Sequence, residues 1–468
     1  MTTADRATGS TAGPTADLEA RVRAQMSRTR TDLAELVAIR SVADARQFPP
    51  EECARAARWV CEAFRELGFA DVALHDTPDG SQAVVGSRPG GGPGAPTVLL
   101  YAHYDVQPPL DDGAWRTPPF ELTEADGRWF GRGAADCKGN IVMLLTALRA
   151  LEDDVPVNLR LVVEGSEEQG TGGLEDFVPG HADLLQADAV LVCDTGDAAV
   201  GVPAVTVSLR GMVNVVVDVE ALPSELHSGM FGGPAPDALA ALVAMLATLR
   251  DEGGDTTVLG LDHTQTWPGA PYDPDAFRRD AGVAPAESLL GSGTVSDMLW
   301  ARPALTVLGI DCPPVVGSSA SIVPRASARL NLRIPPGIAP DQAQTALTGH
   351  LAEVAPWGVQ VGVRLESKGA PFRAGTEGPA YAAMAAAMRE AFGRDMVLLG
   401  QGGSIPLCTV LAETYPDAEL LLMGVEEPLA LIHAPNESVD PQEIERLAVA
   451  VGGFLQRYAG EPTPPPSP

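Results

Sequence analysis

A larger α/β domain interrupted by a smaller ferredoxin-like domain is the fold class this sequence predicts, on three observations. Apolar strand-like runs alternate with helical periodicity up to about residue 203 and again from about 371. Between them, residues 204–370 read as strands and helices in the order β-α-β-β-α-β. In the larger domain, histidines and carboxylates gather where apolar runs stop.

In chain order, "MTTADRATGSTAGPTAD" lacks an apolar core, so residues 1–16 are expected to form a disordered tail. Apolar positions at helical spacing predict helices over 17–39 and 50–67. "QAVVGS" and "TVLLYAH" read as strands separated by the breaker-rich "RPGGGPGAP". A strongly apolar helix, "GNIVMLLTALRAL", precedes two buried strands, "NLRLVVEG" and "AVLVCD". That pattern defines the first part of the larger domain, 17–203. The inserted domain comprises one long strand "AVTVSLRGMVNVVVDVE", a helix at 235–250, strands near 304–310 and 322–334, a helix at 339–355 and the strand "VQVGVRLE". An extra segment of mixed character interrupts it at about 253–303. The second part of the larger domain, 371–460, carries the helix "PAYAAMAAAMREAF", the strand "ELLLMG" and a helix at 441–458. Residues 461–468 form a proline-rich tail.

With 62 acidic residues against 32 Lys plus Arg the formal charge is −30, and Lys138 and Lys368 are the only lysines. Such a surface repels nucleic acid and anionic membranes, which excludes both as expected partners. The six cysteines lack a CxxC pair and read as buried, reduced thiols of a cytoplasmic protein. No apolar run is long enough to span a bilayer.

The stretch "VLLYAHYDVQPP" ends a buried strand in His103 and Asp105. Glu167 and Glu168 follow "LRLVVEGS", Asp194 ends "AVLVC", His433 follows "ELLLMG", and Asp136 in "GRGAADCKGN" precedes a helix. Open α/β sheets bind ligands outside the carboxyl ends of their strands, so these residues can converge there. Two histidines with three or four carboxylates make an N/O site suited to Zn²⁺ or Mn²⁺, and the carboxylate count fits two divalent ions. Cys137 and Cys193 flank two of these positions, but strand alternation turns Cys193 away from Asp194. His75, His181, His263 and His350 lie in no motif and read as surface or structural.

Taken together, "HYD", "GRGAADCKGN", "EGSEEQGTGG", "CDTGD", "HSG" and "HAPNES" resemble the M20 metallopeptidase family, most closely its dipeptidase branch of carnosinase-like and cysteinylglycine dipeptidases. The resemblance implies a zinc-peptidase-type α/β catalytic domain with an inserted lid and dimerisation domain. It implies that Asp136 bridges two metals, that His103 and Asp194 complete one site, and that Glu168 and His433 complete the other. Asp105 is expected to accept a hydrogen bond from His103 and fix its tautomer. Glu167 is left as the general base. The family commonly holds the peptide bond after the bridging aspartate in cis, which places such a bond between Asp136 and Cys137.

Substrate contacts are expected from Arg333 in "LRIP" and from Ser404 and Gly403 in "GQGGSIP", since a guanidinium with hydroxyl and N–H donors suits a terminal carboxylate. Matching positions do this in the resembled dipeptidases. Ser321 in "SASIVPR" is a further candidate for the same pocket. His227 in "ELHSGMFGG" has no metal role, and the resemblance implies that it reaches the active site of a lid-paired homodimer to stabilise the oxyanion. The activity implied is hydrolysis of dipeptides. An N-acyl-amino-acid deacylase or carboxypeptidase on the same site is the alternative, and a phosphoesterase or a non-catalytic scaffold fits the motifs less well.

Overall fold

The computed structural model describes residues 14–403 and 405–460. Most of the expected N-terminal tail, all of the C-terminal one, and Ser404 lie outside them. The first helix begins at Pro14, inside the stretch expected to be tail, and runs to Val37. The chain divides into two compact units: one runs through Thr206 and includes Ala374–Val397 and the chain from Val410, and the other comprises Val207–Arg373 with Leu398–Thr409.

In the first unit, a sheet has the order Ala73–Asp76, Gln82–Arg88, Asn158–Glu164, Thr97–His103, Ala189–Cys193, Glu419–Met423. The last four strands run parallel to one another, with His103 beside Glu164 and Met423 beside Cys193. Their Val- and Leu-rich runs are buried on both faces, the requirement of a parallel sheet covered by helices. Parallel pairing brings their carboxyl ends to one edge, and that edge carries the polar residues. The helix Lys138–Leu151 is buried along its whole length and packs against Pro14–Val37 and Pro441–Tyr458. Its first residue, Lys138, gives Nζ to the carbonyls of Leu36 and Ile39 at 2.9 and 2.8 Å, closing the end of the first helix. Burial pulls this ammonium's pKa down to about 7.

The second unit is built on a four-stranded antiparallel sheet in the order Ala304–Asp311, Arg325–Ile334, Gly211–Glu220, Gln360–Gly369. With the helices Ala238–Ala247 and Pro340–Glu353, this is the β-α-β-β-α-β arrangement expected from the sequence. Residues of Gly211–Glu220 alternate between buried and half-buried, so Val213, Val215, Val217 and Val219 enter a core with Leu242, Leu330 and Leu347. Asp237 caps the first helix by accepting the N–H groups of Leu239 and Ala240.

Several elements differ from expectation. The single long strand of 204–220 is two, Ala204–Leu209 and Gly211–Glu220, interrupted at Arg210. Arg210 N–H is taken by the Gln401 carbonyl, and a Cβ on Gly211 would strike the carbonyl of Gly369. Short elements escape periodicity altogether: the helices Gly173–Gly180, Pro274–Asp280 and Pro406–Thr414, and the strand Val397–Gln401. In the extra segment, Trp300 packs on Trp267 and Tyr272 at ring separations of 5.2 and 5.9 Å. None of the six cysteines is in a disulfide, but Cys312 is exposed just past an edge strand and Cys53 half-buried, so burial is not general.

Candidate metal centre

His103 is the last residue of its strand and fully buried. Its Nδ1 faces only acceptors, the Asp105 carbonyl at 3.1 Å and carboxylate at 3.3 Å, so Nδ1 carries the proton. Its Nε2 likewise faces only acceptors, Asp136 Oδ1 and Asp194 Oδ1, each at 3.0 Å, so this edge of the ring calls for a positive charge, either a proton or a metal ion on the Nε2 lone pair. The other oxygen of Asp136, Oδ2, lies 3.0 Å from His433 Nε2, which is 3.2 Å from Glu168 Oε2. Asp136 therefore presents one oxygen to each histidine group. The bond between Asp136 and Cys137 is cis, as the resemblance implied.

This donor set passes a physical test for divalent cations. A lone pair aimed at two carboxylate oxygens is repulsive unless positive charge stands between them. The carboxylates also draw charge onto His433: hydrogen bonds to Asp136 and then Glu168 push its pKa up to about 11. Burial raises Asp194 to about 6. Glu167 supplies no ligand atom to either group, and burial followed by the charge of Asp194 holds its carboxyl well above the usual carboxylate range. A cation among these oxygens would reverse that push.

Most of the donors have a support. Asp105 does more than orient His103: its carboxylate accepts the N–H groups of Glu167 at 3.2 Å and Glu168 at 3.1 Å, fixing the turn that carries both. Gln107 holds Glu168 through its backbone N–H at 3.1 Å and its side-chain amide at 2.7 Å. Buried Glu437 accepts from the N–H groups of Gly133, Ala135 and Asp136 at 3.0–3.1 Å and from Arg132 at 2.7 Å. Arg132 also lies over the Trp115 ring and donates to the Pro108 carbonyl. One carboxylate thus ties the loop of His433 to the loop of Asp136.

Sequence reasoning missed Gln107, Glu437 and a third residue. Glu426 offers an oxygen within 4.8 Å of oxygens of Asp136 and Asp194, and it accepts from the Asn140 side-chain amide at 3.4 Å. Cys137 Sγ lies within the same distance of His103 and Asp194 but donates to the Cys193 carbonyl at 2.9 Å. Only the "HAPNES" motif held a signal for Glu437, and nothing in local spacing marks Glu426 or Gln107.

The remaining expected site residues belong to the second unit. His227 is exposed and pairs with Ser321 in a short antiparallel ladder. Its Nδ1 accepts the Gly229 N–H at 3.1 Å, leaving Nε2–H as a donor. Arg333 is half-buried near the end of its strand, and Gly403 is exposed.

A parallel sheet ending in an N/O cluster with one carboxylate shared between two histidine groups has the donor set of a metal-dependent hydrolase. Residues 99–457 match Peptidase family M20/M25/M40. Over 409 residues the chain is 42% identical to the cysteinylglycine-S-conjugate dipeptidase of Corynebacterium striatum, covering 86% of this chain and 90% of that protein. It is 28% identical over 450 residues to the Beta-Ala-His dipeptidase of Rattus norvegicus, covering 87% and 88% respectively. Human carnosine dipeptidase 1 shares the fold with a TM-score of 0.77 at 24% identity, covering 96% of this chain and 100% of that one. The chain belongs to the M20 peptidase family, on its dipeptidase branch, and is a peptide-bond hydrolase. Among the described residues no helix is long and apolar enough to cross a membrane.

Proposed function

We propose that the protein is a dipeptidase using two divalent ions, Zn²⁺ or Mn²⁺. Asp136 is shared between them, His103 and Asp194 complete one site, and Glu168 and His433 complete the other. The observation that carries this reading is the Asp136 carboxylate, with one oxygen 3.0 Å from each histidine. When bound, the ions acidify the attacking water and polarise the scissile carbonyl. Glu167 takes a proton from that water and delivers it to the leaving amine as the C–N bond breaks. Asp105 holds Glu167 and Glu168 in register through their N–H groups. Arg333, with Ser404, Gly403 and Ser321, takes the C-terminal carboxylate of the dipeptide. His227 gives its Nε2–H to the developing oxyanion, in a homodimer paired through the second unit. The scattered cysteines, without a CxxC pair or a small-scaffold spacing, support a cytoplasmic location.

The test is hydrolysis of free, N-acylated and C-amidated dipeptides by the protein loaded with each metal in turn. Free dipeptides are expected to be cleaved best. Preference for N-acylated substrates would replace the reading with a deacylase. Glu167→Gln should lower kcat by roughly 10²–10⁴-fold with metal content unchanged. Retained turnover with full metal would remove Glu167 from the mechanism.

A further inference from the structure

Arg210 occupies the break between the strands Ala204–Leu209 and Gly211–Glu220, and it is 8% exposed. Its Nε and Nη1 are buried without a hydrogen-bond partner, and neither it nor Arg333 has an ion pair among the described residues. A guanidinium remains charged in a protein, so an unpaired buried one is costly unless an anion reaches it. Met212 faces Arg333 across the ladder, and Arg210 lies two residues before Met212 in the chain, at the break. The two charges repel: burial and then Arg333 pull the Arg210 pKa down to about 10. Arg210 Nη2 also lies against Gly402, where an added Cβ would approach to 2.8 Å, so the glycine loop at 402–403 borders the guanidinium. Gln401 Oε1, buried and without a partner, can take an N–H from a ligand.

We propose that Arg210 is a second cationic anchor beside Arg333, and that their pocket takes ligands carrying two carboxylates on the C-terminal residue. This rests on the dipeptidase reading, in which Arg333 meets the substrate's C-terminus, and it names the substrate class: dipeptides ending in Asp or Glu. Charge sets the class. One α-carboxylate balances one guanidinium, and a side-chain carboxylate balances the other through the same bidentate geometry.

Glutarate and its monoamide differ by one charge at nearly constant shape. Binding of each to the full-length, metal-loaded protein is measured by calorimetry, alongside kcat/KM for Ala-Glu and Ala-Gln. Glutarate is expected to bind at least about tenfold more tightly, and Ala-Glu to be favoured by a similar factor. Arg210→Gln should erase both preferences, whereas Arg210→Lys, which keeps the charge, should retain part of them. Equal binding of glutarate and its monoamide, or a preference that survives Arg210→Gln in a folded protein, overturns the proposal. Failure of Arg210→Gln to fold leaves the decision to Arg210→Lys and the native comparison. A glutarate preference in a protein that cleaves no dipeptide would refute the dipeptidase reading and leave the dicationic pocket standing.

Discussion

The two units solve the problem of buried polarity in opposite ways. In the first, the strands Thr97–His103 and Ala189–Cys193 are buried on both faces, so charge can enter only where strands end, and there it is concentrated. Asp105, Asp136, Glu426 and Glu437 are all buried near that edge. In the second unit, Gly211–Glu220 and Gln360–Gly369 alternate along their lengths, and the core against the two helices is aliphatic apart from a single methionine. A parallel sheet trades a one-sided surface for a polar edge, and an antiparallel one keeps polarity on its outer face. The first unit should therefore be sensitive to loss of polar partners and the second to loss of volume.

The largest effect expected from that contrast is at Glu437. Glu437→Ala strands the buried Arg132 charge and three N–H groups of the Asp136 loop. Breaking such a pair costs about 3–5 kcal/mol, and supports of metal ligands are worth roughly 10–100-fold in affinity. Denaturant unfolding and chelator competition measure the two effects. A folded variant that binds metal as well as the native protein would show that Glu437 stabilises the unit without positioning its ligands.

How much of this was legible in the sequence depends on how far each partner lies along the chain. Four of the five proposed ligand positions were readable because they follow apolar runs, and parallel pairing carries strand ends to one edge whatever the loops between them; Asp136, which precedes a helix, was marked only by its motif. The β-α-β-β-α-β order was readable because alternation at a period of two is local. The role of Glu437 was not, since its partners lie some 304 residues upstream and nothing in "HAPNES" says what this carboxylate holds. Nor was the break at Arg210, where unbroken apolar alternation hides a backbone N–H pledged to Gln401. The turn-holding role of Asp105 was invisible for the same reason: Glu167 and Glu168 lie 62 and 63 residues away.

A smaller effect is expected at Leu330, fully buried in the core of the second unit. Leu330→Ala removes volume from a site with no polar group to rearrange, at a cost of about 2–4 kcal/mol. Metal affinity, measured on the folded variant, should stay within about twofold of native. A large loss of metal affinity would break the comparison, because the two interiors would then not be energetically separate.

The smallest effect concerns His350, a buried titratable group beside the aliphatic core of the second unit. Its Nδ1 accepts the Leu259 N–H at 3.1 Å, so Nε2 carries the proton and donates to Thr248 Oγ at 2.8 Å. Protonating Nδ1 would set two donors against each other, and burial lowers the pKa, with Glu353 opposing it more weakly. The folded protein then binds fewer protons than the unfolded chain. The contribution to stability is full above the unfolded value near 6.5 and is lost as pH falls from there through the folded value. His350→Gln keeps an acceptor and a donor at the site but cannot titrate. The drop in thermal midpoint between pH 7 and pH 5 should be smaller in the variant than in the native protein, by at most about 2 °C. Identical pH dependence in both would mean that protonation of His350 is accommodated without loss, and that the second unit tolerates a buried charge as the first does.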